Sequence, residues 1–193
     1  MSLTGSAPRS LVLADLWEGG RVRAAVLVLA GAVFTGLAAQ VSIPLPTTPV
    51  PLTLQTFAVL LTGTALGPTL GALSMILYVG AGVAGVPWFA EQSSGYSMAS
   101  FGYLIGFIAA AYVCGALARR AADRRILGAV ASMVLGNLII YAFGVPILMS
   151  AVSVDFRTAL TLGVTPFLLG DVLKIIVAGG LLPSTWKLVG PRD

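Results

Sequence analysis

The stretch PFLLGDVLK, residues 166–174, places two opposite charges inside the apolar run 160–182. Asp171 and Lys174 are three residues apart, so on a helix their side chains project from one face and can reach each other. Ionisable groups at membrane depth are costly, and they usually face a cavity, a partner or a substrate. The pair therefore predicts the polar end of a binding site. The alternative is a structural ion pair that only fixes helix packing.

The composition indicates an integral membrane protein. Hydrophobic residues make up 58% of the 193 residues and charged residues 9%, with a mean hydropathy of +0.98, whereas a soluble domain carries about 25% charged residues. No charged residue occurs in the segment 24–90. The apolar runs are continuous and rich in Leu, Ala and Gly, which predicts helices rather than the alternating strands of a barrel.

Several classes of enzyme are excluded by what the chain lacks. It has no histidine, which removes zinc-protease helices, Ser-His triads and Cys-His pairs. An intramembrane aspartyl protease needs two membrane aspartates, and only Asp171 lies in a predicted span. No Gly-rich phosphate loop precedes Lys174 or Lys187, so any ATP hydrolysis must come from another subunit. We expect a protein that is not an enzyme and that needs no cofactor.

The hydropathy pattern predicts an all-α membrane protein with six transmembrane helices. The segment 52–83 is too long for one span of about 20 residues, and Gly63, Gly67 and Pro68 supply a break. The predicted spans are 24–39, 54–66, 69–83, 99–118, 126–150 and 161–182.

The basic residues predict the orientation. Arginines cluster before the first span and again at 119–125 after the fourth, and the positive-inside rule places both clusters in the cytoplasm. An even number of crossings between them requires the break in 52–83. We therefore expect a plasma-membrane protein with an N-terminal cytoplasmic tail (1–20), a six-helix domain (21–187) and a cytoplasmic C-terminal tail (188–193).

The segment 41–54 carries prolines at positions 44, 46, 49 and 51, which forbid a regular helix. Non-helical backbone near a membrane persists only where it is buried in protein or lines a cavity. We expect this segment to be a lid, with a stiff connector as the alternative. Polar groups expected to converge below it and below the loop 88–97 are Thr53, Gln55, Tyr78, Tyr103, Asn137 and Tyr141, besides Asp171 and Lys174.

A series of motifs resembles, in order, the BioY proteins, which are the biotin-binding S components of energy-coupling factor (ECF) transporters. The motifs are PVPLTLQT (49–56) with LGP (66–68), LY (77–78) with the glycine run 80–85, GVPWFA (85–90), GYLIGF (102–107) and PFLLGDVLK (166–174). The resemblance covers about 24–186. The chain departs from the family at 99–101, where ASF replaces the usual Gly-Pro-Thr/Ser-Gly, and the preceding loop holds Glu91 and Gln92.

The resemblance implies six helices and a pocket near the outer face that binds biotin with high affinity. Asp171 would accept hydrogen bonds from the ureido N–H groups, and Lys174 would neutralise Asp171 and donate to a ligand oxygen. Further amide hydrogen bonds and aromatic walls would come from Gln55, Asn137, Tyr78, Phe89, Tyr103 and Tyr141. The implied partners are an ECF transmembrane coupling protein and ABC-type ATPase subunits.

Two other readings of the residues stay open, a proton-coupled small-solute carrier that uses Asp171 and a purely structural membrane subunit. The first span also carries small residues that predict a docking face for a partner, because small side chains allow close approach of helices in lipid. These residues are Ala25, Ala32, Gly36 and Ala39.

Overall fold

The computed structural model describes residues 10–189 as a bundle of long apolar helices. The helices are α1 (Arg21–Gln40), α2 (Gln55–Val83), α3 (Phe101–Ala118), α4 (Ile126–Val152), α5 (Phe156–Gly163) and α6 (Leu168–Val189), and two short strands are β1 (Ser42–Ile43) and β2 (Leu52–Thr53). Within the described residues, 5 stretches are long and apolar enough to cross a membrane, namely α1, α2, α3, α4 and the run Phe156–Val189.

The helix α2 turns back on itself at Gly67. This residue has φ 82° and ψ 176°, a conformation that glycine adopts readily and other residues avoid. A Cβ atom on Gly71 would lie 2.7 Å from the Cα atom of Gly63, whereas residues eight apart on a straight helix are separated by about 12 Å. The two halves of α2 therefore pack against each other as an antiparallel hairpin.

The predicted count of six helices is thus slightly off, although the class of all-α membrane protein is right. The predicted break lies where the structure has it, at the kink at Gly67, and the two helical halves on either side of it follow each other without a loop, so we describe them together as α2. The two predicted spans 54–66 and 69–83 are the two halves of this hairpin. Five long apolar stretches therefore take the place of the six that the sequence predicted.

The last predicted span, 161–182, lies within the apolar run Phe156–Val189 but is not one continuous helix. The chain instead forms the separate helix α5, then a 3-10 turn at Thr165–Phe167, and α6 starts only at Leu168 and runs to Val189. The reason is Pro166, which has no N–H group and disfavours helical geometry in the residue before it. This late start places Asp171 in the first turn of α6.

The predicted docking face of α1 is wrong. Ala32 and Ala39 have no exposed surface, and Gly36 is buried beneath Trp88, whose ring would lie 3.2 Å from a Cβ atom there. Of the four small residues, only Ala25 is exposed. Small side chains on α1 serve close packing within this chain instead, because they let α2 and the loop after it approach the α1 backbone.

One end of the bundle carries Arg21, Arg23, Arg119 and Arg124, and we call it the basic end. Residues 10–17 pack there, with Val12 fully buried and an ion pair between Asp15 and Arg119. Trp186 of α6 donates from Nε1 to Asp123 Oδ2 at 2.5 Å, and the Arg124 guanidinium lies 4.5 Å above the Trp186 ring. The remainder of the predicted tails, 1–9 and 190–193, lies outside the described residues.

Candidate functional site

The Asp171–Lys174 pair lies in the wall of a cavity of about 620 Å³, a volume that includes its open mouth. Small-molecule sites in proteins are concave and mostly apolar, with a few polar groups that fix the orientation of the ligand. All the predicted site residues except Tyr78 line this cavity, and they are Thr53, Gln55, Phe89, Tyr103, Asn137, Tyr141, Asp171 and Lys174. The fold therefore brings together side chains from β2, α2, α3, α4, α6 and the loop after α2.

Asp171 and Lys174 form the buried polar end of the cavity. Asp171 is 4% exposed, and its Oδ2 atom accepts a hydrogen bond from the Tyr141 hydroxyl. Lys174 Nζ lies 3.4 Å from Asp171 Oδ1 and donates to Thr56 Oγ1 at 2.8 Å. These contacts join α2, α4 and α6, and the first-turn position of Asp171 suits its charge because a helix N-terminus favours anions.

The polar end still has capacity for a ligand. A carboxylate offers about four acceptor positions, and Asp171 uses few of them within the protein. Asn137 is 7% exposed and lines the same cavity, and its side chain has no hydrogen-bond partner among the described residues. An amide that is buried in this way retains both donors and acceptors for a polar group placed in the cavity.

Tyr78 supports the wall from behind. Its hydroxyl accepts a hydrogen bond from Gln55 Nε2 at 2.6 Å and donates to the Trp88 carbonyl at 3.3 Å. Gln55 Oε1 in turn accepts from the Thr53 hydroxyl at 3.1 Å. Tyr78 therefore orients Gln55 and the loop after α2 without lining the cavity itself.

The loop after α2 contributes Phe89, which is 1% exposed. Its ring fits against Gly82, because a Cβ atom there would overlap it. Gln40 at the end of α1 donates from Nε2 to the carbonyl oxygens of Trp88 and Phe89, both at 3.1 Å. Sequence reasoning missed Gln40, although an amide at the end of a helix that carries no other polar residue between Arg23 and Gln40 except Thr35 was a signal available in the sequence.

The proline-rich segment is a small β-hairpin at the cavity mouth. β1 and β2 pair antiparallel, with Ser42 opposite Thr53 and Ile43 opposite Leu52. The sequence predicted extended backbone but not this pairing. Lining residues that were missed are Val50, Pro51, Leu52, Thr56, Ala90, Met98, Ser100, Leu104, Phe107, Ile140 and Phe167.

Helical spacing could have found two of these missed residues. Phe107 lies one turn beyond Tyr103, and Ile140 lies one turn beyond Asn137, so each shares a helix face with a predicted site residue. The residues that come from the loops had no such periodicity to reveal them.

The sequence is similar to those of a known family of transport proteins. Residues 9–191 match the model of the BioY family. The biotin transporter BioY of Thermotoga maritima is 41% identical over 158 residues, which cover 79% of this chain and 90% of the relative. The probable biotin transporter BioY of Pyrococcus horikoshii is 40% identical over 147 residues, which cover 75% and 84% respectively.

A solved structure shares the fold. It is the S-component for biotin from an ECF-type ABC transporter, with a TM-score of 0.78 at 20% identity, covering 86% of this chain and 92% of that chain. The expected S-component-like fold is therefore confirmed. Together with the apolar helices, the relatives show that the chain is a multi-pass membrane protein.

Proposed function

The chain belongs to the BioY family, and we propose that it is the membrane subunit that binds biotin for uptake, energised by separate ECF subunits. Its relatives are named as transporters, so it is a transport protein rather than an enzyme. The observation that carries the proposal is the buried Asp171–Lys174 pair in the wall of a mostly apolar cavity.

The chemistry of biotin suits this cavity. Its ureido ring offers two N–H donors and a strong acceptor oxygen, and its thioether ring is apolar. Asp171 accepts from one ureido N–H group, and Lys174 and Asn137 donate to the ureido oxygen. Tyr103 and Tyr141, whose rings are 6.3 Å apart and nearly perpendicular, enclose the bicyclic rings together with Phe89. Thr53 and Gln55 contribute polar atoms from the hairpin side, with Tyr78 as their support.

The proposed orientation places the cavity mouth outside the cell. Arg21, Arg23, Arg119 and Arg124 belong to the basic end, which the positive-inside rule assigns to the cytoplasm. The hairpin β1–β2 and the loop after α2 lie beyond the opposite ends of the helices. Both termini are then cytoplasmic, with the tails 1–20 and 188–193 flanking the membrane domain 21–187.

If ATP hydrolysis drives inward delivery, it comes from other proteins, because the sequence has no phosphate-binding loop. We propose as partners the ECF transmembrane coupling protein and ABC-type ATPases, because the solved structure that shares the fold is a component of an ECF-type ABC transporter. A proton-coupled carrier is the alternative, and it would need none of them.

Retention of radiolabelled biotin by the purified protein, without ATP, tests the proposal. We expect stoichiometric retention that is lost in Asp171→Asn. Failure to retain biotin in a folded preparation would reject the function. Reconstitution in liposomes distinguishes the proposed subunit from a proton-coupled carrier. A carrier accumulates biotin under a proton gradient with no other subunit present, whereas the proposed subunit does not.

A further inference from the structure

The cavity has charged residues at its buried end, where the ureido ring of biotin is proposed to bind, and no charged residue lines its mouth in the part of the chain that the structure describes. Resting on the proposed function, we infer that the site recognises the bicyclic rings of biotin and leaves the tail carboxylate at the mouth. It therefore also accepts biotin derivatives whose carboxyl group has been converted to a neutral amide or ester. Such derivatives include biotin joined through an amide to the side chain of lysine.

The charges of the lining are already balanced. Among the described residues that line the cavity, Lys174 is the only cation and Asp171 the only anion. Lys174 Nζ is engaged by Thr56 Oγ1 at 2.8 Å and by Asp171 Oδ1 at 3.4 Å. A ligand carboxylate brought to this end would face Asp171 at low dielectric, where repulsion between like charges is strong. The neutral ureido head meets no such repulsion.

The mouth offers no cation in place of Lys174. It is formed by the segments 41–54 and 84–100, which supply the half-exposed lining residues Pro51, Ala90 and Ser100. These two segments contain one charged residue, Glu91, which follows Ala90 and is exposed. Arg157 on the exposed face of α5 does not line the cavity. A carboxylate at the mouth is therefore held by water rather than by the protein.

Competition binding on the purified protein tests this inference. Radiolabelled biotin is displaced by free biotin, by biotin amide and by biotin methyl ester. We expect affinities for the three that agree within about threefold. Had a protein cation bound the carboxylate, the neutral forms would bind about 10- to 100-fold more weakly, the usual effect of losing a charged hydrogen bond. That larger loss would overturn the inference while leaving the proposed function intact, since biotin itself would still bind.

A charge placed at the mouth tests where the tail lies. In Glu91→Lys, we expect the ratio of acid to amide affinity to rise by about two- to fivefold, the size of an exposed ion pair. The exposed position and its left-handed φ of 57° accept lysine as readily as glutamate. Gln92 has the same φ of 57°, so Gln92→Lys adds the same charge one residue further along the loop for comparison. An unchanged ratio in Glu91→Lys would place the tail elsewhere and overturn the inference.

Discussion

Gln55 donates a hydrogen bond of 2.6 Å to the hydroxyl of Tyr78, although the two residues are 23 positions apart in one helix. On a straight helix they would be separated by roughly 35 Å. They meet because α2 reverses at Gly67, which brings the start of its first half beside the second half near the cavity. The break in the helix and the polar wall of the site are therefore one structural feature.

Tyr78→Phe should weaken this wall. The change removes the acceptor for Gln55 Nε2, and a buried donor left without a partner costs about 1–3 kcal/mol. We expect a lower melting temperature and weaker biotin binding, measured by thermal unfolding and by radioligand binding. Tyr112→Phe is the matched control, because Tyr112 lies on α3 and is 53% exposed. Equal effects of the two substitutions would contradict a supporting role for Tyr78.

Asp171→Asn should abolish or strongly weaken biotin binding. The substitution keeps the shape of the side chain but leaves the Lys174 ammonium buried without its anion, which costs roughly 3–5 kcal/mol in stability and binding together. The measurements are the biotin dissociation constant and the melting temperature. A folded Asp171→Asn protein with wild-type affinity would show that Asp171 is not a ligand and that the pair is structural.

Gln40→Leu should shorten the residence time of biotin. Without the amide, the carbonyl groups of Trp88 and Phe89 lose their tie to α1, so the wall that Phe89 forms is less well held. The loss of a hydrogen bond of this kind predicts a dissociation rate about 2- to 10-fold faster, measured by chase with unlabelled biotin. Gln92→Leu, at an exposed position in the same loop, should leave the rate unchanged. An unaltered residence time in Gln40→Leu would rule out this positioning role.

Gly67→Ala should destabilise the protein through its backbone. A Cβ atom there meets its nearest neighbours at an ordinary 3.4 Å, so the cost comes from φ 82° and ψ 176° and should be about 1–3 kcal/mol. Gly80→Ala is the control, because nothing lies within 4 Å of its Cβ position and alanine is the better helix former by about 1 kcal/mol. Thermal unfolding compares the two variants, and a loss in Gly80→Ala as large as in Gly67→Ala would contradict the explanation.

Asp123→Asn should reduce the pH dependence of stability at the basic end. Burial raises the pKa of the Asp123 carboxyl, with the Trp186 indole N–H and Arg124 acting in the opposite direction. The folded state thus holds this proton to higher pH than the unfolded state, so stability falls as the pH rises above the ordinary value of 3.8. Asparagine keeps an oxygen for the Trp186 N–H without the charge.

We therefore expect Asp123→Asn to be at least as stable as the wild type at neutral pH, with a smaller change in melting temperature between acid and neutral pH. Asp155→Asn is the comparison, because the pKa of the exposed Asp155 carboxyl is shifted in the opposite direction: hydrogen bonds from Thr158 lower it. If Asp123→Asn and the wild type had the same pH dependence of stability, the raised pKa of Asp123 would not be its cause.

The class of the protein, the break within the segment 52–83 and most of the polar residues that line the cavity could be predicted from the sequence alone. Long apolar runs without charges are typical of membrane-spanning segments, and glycine followed by proline disfavours a regular helix. Charges inside a membrane usually face a cavity or a partner. These rules act on local residues, so they can be applied without knowing which elements are neighbours.

The remaining features depend on contacts between elements that are distant in the sequence. The hairpin within α2 brought Gln55 to Tyr78, and the close packing of α1 turned Ala32 and Gly36 inward, away from the surface that small residues had predicted. Gln40 acquired its role because the end of α1 faces the carbonyl groups of a loop 48 residues away. Such contacts depend on which surfaces meet across the bundle, and distance along the chain carries no information about that.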